Sequence, residues 1–235
     1  MSTPQEVAVI VGVGPGLGAS LAHACHAAGM KVALLARSAD TSGPLAAGLK
    51  GARAYACDAT DYGNVDSTFA QIDEDLGAPT LCVYNAGAFE PGSILDISPI
   101  DFERCWRVGC LGAFYVGQQA ARRMVKAGRG TILFTGATAS LRGSARFANL
   151  AVGKFGQRAL GQSMARELGP HNVHVAHVII DGQILSPRYR HLLDDRGPDS
   201  LLDPDAIAAQ YLNLHAQPRS AWTQELDLRP WVEKF

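Results

Sequence analysis

The sequence predicts an α/β chain, a single domain built on a doubly wound parallel β-sheet flanked by helices. Three observations carry that reading. Short runs rich in Val, Ile and Leu alternate with longer segments of helical composition from end to end. The runs are apolar throughout rather than alternating, as strands covered on both faces are. The first run also leads straight into a glycine cluster that opens the first helical segment, a strand–turn–helix crossover repeated along the chain.

Residues 6–11 form the first predicted strand and residues 19–28 the first helix, with a second strand at 31–36 and a third at 52–57. Residues 66–76 have helical spacing, and 80–84 form a fourth strand. A long helix is expected over 102–127, kinked near Gly109 and Gly112, because helix bends have identifiable causes and paired glycines are one. A fifth strand follows at 130–135, a long helix at 147–168, a sixth strand at 173–180, a helix at 204–214 and a short last strand at 224–228. The least regular stretch, 185–203, contains Pro187 and Pro198 and mixed charges; it is expected to be a mobile loop over a site.

With 235 residues, 47% of them hydrophobic, and 21 Lys and Arg against 22 Asp and Glu, the chain suits one globular domain spanning residues 1–235. No basic patch points to nucleic acid, and no apolar run approaches the roughly 20 residues that cross a bilayer. The N-terminal residues 1–6 lack the features of a signal peptide. Five cysteines without CxxC or CxxH spacing read as free thiols in a reducing cytoplasm rather than as metal ligands.

The motif Gly12-Val13-Gly14-Pro15-Gly16-Leu17-Gly18 lies between the first strand and first helix. Absent side chains let the backbone turn tightly and approach a pyrophosphate, while the helix N-terminus offers N–H groups and a positive dipole end. Glycines 12, 16 and 18 have the G-x-x-x-G-x-G spacing. Asn85-Ala86-Gly87 follows the fourth strand, and Lys154 sits in Leu150-Ala151-Val152-Gly153-Lys154. In this order and spacing the chain resembles the short-chain dehydrogenases/reductases over roughly residues 6–186, which implies a Rossmann fold and a nicotinamide cofactor.

The resemblance assigns cofactor contacts to Gly12, Gly14, Gly16, Leu17 and Gly18. It places Asp58 at the adenine amino group, and Asn85, Ala86 and Gly87 along the central sheet and adenosine ribose. Lys154 falls at the nicotinamide ribose, with Gly182, Ile184 and Ser186 near the carboxamide. The second strand ends at Ala36, where NAD enzymes place an acid for the ribose 2′-hydroxyl, and Arg37 follows. A guanidinium can pair with a 2′-phosphate, so NADP(H) is expected over NAD(H).

The catalytic end departs from the family. Its usual set is Asn, Ser, Tyr and Lys; the corresponding positions here hold Cys110, Ala137, Leu150 and Lys154. An isobutyl group cannot give a proton. Thr138 and Ser140 bring hydroxyls beside the missing serine, and Lys154 could itself donate a proton. Cys110 could act as a nucleophile if a neighbour lowered its pKa, though packing suits it better. Asp181, where the family has Pro before Gly182, could be a base or a turn residue.

The expectation is therefore a divergent NADP(H)-dependent oxidoreductase transferring hydride to or from a small carbonyl or alcohol substrate. A cofactor-binding sensor or inactive partner, and a non-redox lyase or isomerase on the same scaffold, are the alternatives. A homodimer or homotetramer through the two long helices is also expected, and the tryptophans of residues 220–231 are assigned to an interface or the substrate loop.

Overall fold

The computed structural model describes residues 5–234; residues 1–4 of the N-terminal stretch considered above lie outside it. Among the described residues seven strands form one sheet, ordered β3-β2-β1-β4-β5-β6-β7, with every pairing parallel. The strands are β1 (Val7–Val11), β2 (Lys31–Ala36), β3 (Arg53–Ala56), β4 (Leu81–Tyr84), β5 (Gly130–Thr135), β6 (Val173–Ile180) and β7 (Glu225–Leu228). This is the doubly wound arrangement, and its order reverses between β1 and β4. At such a switch point the crevice opens beyond the carboxyl ends of the strands.

Successive side chains of a strand point to opposite faces, and β1 supplies both cores. Val7, Val9 and Val11 enter a core closed by α3 (Tyr62–Asp75), α5 (Gly112–Ala127) and α6 (Ala148–Leu168). Ala8 and Ile10 enter the opposite core beneath α1 (Leu17–Ala27), α2 (Ala39–Ala47) and α8 (Pro204–His215). All five β1 residues are buried, which is why the run carries no polar alternation.

The second helix escaped the sequence reading. Its composition, with Gly43 and Pro44 inside, argues against a helix, but Ser38 caps it by accepting a hydrogen bond from the Asp40 amide at 3.1 Å. The long helix expected over 102–127 is interrupted. α4 (Pro99–Trp106) passes into a π turn at Arg107–Leu111 before α5 begins, and Tyr84 Oη donates to the Val108 carbonyl at 2.5 Å. A Cβ on Gly112 would lie 2.5 Å from that phenol oxygen. The kink is thus a π bulge whose Val108 carbonyl is met by a buried tyrosine.

Segment 185–203 is not wholly irregular. It contains α7 (Leu192–Arg196), and it is tied at its base by an Ile184–Leu202 bridge and a Leu185 N–H to Leu202 O bond of 2.8 Å. Trp222 stacks on His174 with ring centroids 4.9 Å apart and donates to Gln217 O. That tryptophan packs the C-terminal segment onto β6, which corrects its assignment to a substrate loop. Trp231 is exposed.

Candidate functional site

The glycine loop is shaped by what it touches. Gly12 adopts φ +88°, and a Cβ there would lie 2.5 Å from the Ala86 nitrogen; on Gly18 it would lie 2.9 Å from Val13 Cα. Asn85 locks the two turns together, donating through Nδ2 to Gly12 O at 3.0 Å and through its backbone N–H to Val11 O at 2.8 Å. Gly14 has open space around it. Gly16 stands at the head of α1, which has no side-chain cap. The leading N–H groups of α1 remain available to an anion, whose charge the helix dipole favours.

These turns divide a cleft of two lobes. One lobe, of about 730 Å³, is lined by the ends of β1 and β2, by Asp58 to Thr60 and by Asn85 to Ala88. Ala36 and Arg37 lie on its wall and Arg104 on its far side. The Asp58 carboxylate accepts from the Thr60 N–H at 2.9 Å and from its hydroxyl at 2.8 Å, so the turn holds it rigidly at the rim. The second lobe, also about 730 Å³, shares Gly12, Asn85 and Gly87 with the first. It runs past Gly14, Gly16, Leu17 and Gly18 to Thr135–Ala137 and Gly182–Tyr189, including Ile184 and Ser186. Gly182 has φ +144°, and a Cβ on it would strike Pro230 at 2.7 Å. A smaller cavity of about 550 Å³ bounded by α2, β3 and α3 lacks this convergence of glycine loop and strand ends.

Behind the floor of the second lobe lies a buried polar layer. Lys154 is 5% exposed; its ammonium donates to Thr135 O at 2.6 Å and to Gln157 Oε1 at 3.3 Å. Burial pushes its pKa down to about 8, since a charge without solvent is disfavoured. His177 is fully buried, and both its ring nitrogens lack a hydrogen-bond partner. Burial first, and then the Lys154 charge, push it down to about 4, so it is neutral at pH 7. His177 has no signal in the sequence, because it stands within an apolar strand run where a lone histidine is not distinguished from core.

The positions that resemble catalytic residues are brought to this same end, but few keep a usable proton. Ala137 lines the lobe, and its N–H donates to the buried Ser140 hydroxyl oxygen at 3.1 Å. Thr138 donates its hydroxyl to Asp181, and that carboxylate is buried and paired with Arg229 at 3.6 Å. Asp181 thereby ties the end of β5 to the ends of β6 and β7, as a turn residue does. Burial raises the Cys110 thiol; the lowered pKa that a nucleophilic role requires is not found. Cys110 packs against α6, where a Cβ on Gly156 would meet its sulfur at 2.6 Å. Leu150 is half-buried on the first turn of α6. Beside it Asn149, also passed over in the sequence, donates to Glu90 O at 2.6 Å and fixes the loop after β4 to α6.

The model of the family described as short chain dehydrogenase matches residues 6–192, most of the chain. The chain belongs to that family. It is similar to sorbitol-6-phosphate 2-dehydrogenase of Escherichia coli, 28% identical over 216 residues, covering 89% of this chain and 83% of the relative. It is 31% identical over 188 residues to the 3-oxoacyl-[acyl-carrier-protein] reductase MabA of Mycobacterium tuberculosis, covering 80% of this chain and 72% of the reductase. A crystal structure of a short-chain dehydrogenase from Rhodopseudomonas palustris superposes with a TM-score of 0.81 at 36% identity, covering 97% of this chain and all of that one.

Proposed function

We propose that this short-chain dehydrogenase family member moves hydride between NADP(H) and a small carbonyl or alcohol substrate. The observation that carries the reading is the contact of the Gly12 backbone with Ala86 beside an uncapped helix N-terminus, a cradle a Cβ would fill. The donor set fits a dinucleotide. The leading α1 amides would hold the pyrophosphate, Asp58 the adenine amino group, and Ser186, Ile184 and Gly182 the nicotinamide end. When bound, the dinucleotide supplies the hydride.

NADP(H) rather than NAD(H) is supported by the wall of the adenosine lobe, where Ala36 offers no carboxylate to a 2′-hydroxyl and Arg37 is exposed at the rim. Ala88, Ala137, Ile180 and Ile184 on the walls of the two lobes favour a substrate with an apolar body. Lys154, held at Thr135 O, keeps the lobe's floor positively biased without itself facing solvent. Exposed Phe114, Val152 and Phe155 on α5 and α6 support pairing of copies through these helices. Residence in the cytoplasm is part of the same proposal.

The test is transfer of deuterium from 4-labelled NADPH to a panel of carbonyl compounds, followed by mass spectrometry of the product. Label in the alcohol carbon is expected. Turnover without label would identify a lyase or isomerase, and cofactor binding without turnover a sensor.

A further inference from the structure

The family's tyrosine is absent, yet reduction of a carbonyl needs a proton at the oxygen. The hydroxyls nearest the missing serine are committed or sealed: Thr138 donates to Asp181, and Ser140 is buried beneath Gly136. Lys154 is buried, with its ammonium donating to Thr135 O and Gln157 Oε1. The second lobe nevertheless carries one phenol, on the segment after β6. Tyr189 lines it together with Ala137, Ile184 and Ser186, and is half-buried.

A turn holds Tyr189 there. Its N–H donates to Ser186 O at 3.0 Å, and Leu192 N–H donates to Tyr189 O at 3.0 Å. Ser186 in turn abuts the glycine loop, 3.7 Å from a Cβ placed on Gly16. The Arg188 guanidinium lies 5.2 Å from the centre of the Tyr189 ring. A cation at that distance is attracted to the face of the ring and helps hold its position. Arg188 is the charged side chain on the wall of this lobe; Arg190 and His191 follow on the same segment, and Lys154 and Asp181 lie buried behind the floor.

We propose that Tyr189 is the proton donor of this site, replacing from the segment after β6 the phenol that α6 lacks. This rests on the reading of the cleft as a nicotinamide site. With a reduced nicotinamide bound, the cofactor would supply hydride to the carbonyl carbon and the C=O π pair would move to oxygen. That oxygen takes the Tyr189 Oη proton, leaving an alcohol and a tyrosinate beside Arg188, which water reprotonates. In oxidation the same steps run backwards.

The experiment uses Tyr189→Phe in the full chain with ¹³Cζ-labelled tyrosine, read by NMR and by kinetics. The resonance absent from Y189F identifies Tyr189. It is expected to move between the NADPH and NADP⁺ complexes, because the charge of the adjacent nicotinamide ring changes. With an aromatic aldehyde as acceptor, Y189F is expected to lose on the order of 10²–10⁴-fold in kcat with cofactor affinity unchanged. Adding Leu150→Tyr and Ala137→Ser to Y189F is expected to restore turnover. An identical resonance in the two complexes, or an unchanged kcat, overturns the proposal while leaving the cleft's reading intact. Absence of cofactor binding in the wild type, or of its turnover, removes that reading and this proposal with it.

Discussion

The Gly12 backbone stands so close to Ala86 that a Cβ on it would lie 2.5 Å from the Ala86 nitrogen. The contact joins the end of β1 to the end of β4 at the point where the sheet order reverses. Both the tight turn and the depth of the cleft follow from it.

Gly12→Ala therefore meets two obstacles, a positive φ and a backbone wall that cannot rotate away. Positive-φ strain alone costs about 1–3 kcal/mol, and the clash adds to it. The expected outcome is a lower urea midpoint together with loss of cofactor binding. Gly14→Ala, with open space around the new methyl, should fold with nearly wild-type stability. Equal stability of the two variants would remove the backbone contact as the reason for glycine at 12.

Lys154 should write itself into the alkaline stability profile. Its folded pKa is about 8, below the ordinary 10.5, so between these values the unfolded chain binds more protons. Stability from this group rises with pH across that window, by about 3 kcal/mol in all. Below pH 8 the cost of burying the charge is fully present. Buried Tyr84 and Tyr211, whose pKa values are raised by burial, act in the opposite direction. The contribution is thus read as the difference between wild type and Lys154→Met in denaturation midpoints at pH 8 and 10. Parallel profiles for the two proteins would contradict the burial of a titrating lysine.

His177 makes the matching prediction on the acid side. Its pKa falls from 6.5 to about 4 on folding, so its stability contribution is present above pH 6.5 and lost as pH falls toward 4. Between pH 7 and 5 the loss is about 2 kcal/mol. His177→Leu, which also removes two unpartnered ring nitrogens, should be less sensitive to acid over that range by this amount. An unaltered acid slope would show that the ring is solvated.

Much of the fold was legible because its signals are local. Strands buried on both faces must be apolar along their length, so β1, β2, β4, β5 and β6 stand out within a residue or two. The glycine loop was legible because backbone contact with Asn85–Gly87 admits no side chain there. What stayed hidden depends on partners distant in sequence. Helix α2 holds a glycine and a proline, and its Ser38 cap and its packing beside β2 and β3 outweigh its composition. The commitment of Thr138 to Asp181, forty-three residues on, could not be read from either residue. Tyr189 likewise acquires meaning only when the segment after β6 folds back over the glycine loop.

The central claim is that the cleft holds a nicotinamide dinucleotide whose 2′-phosphate meets Arg37. Its most direct test is a fluorescence titration of wild type and Arg37→Ala with NADPH and with NADH. The account predicts that wild type binds NADPH more tightly, and that the substitution weakens NADPH by about tenfold or more, as loss of a charge-assisted pair of roughly 1.5–3 kcal/mol requires, while NADH is little changed. Equal losses for both cofactors, or no binding of either by the wild type, would contradict it.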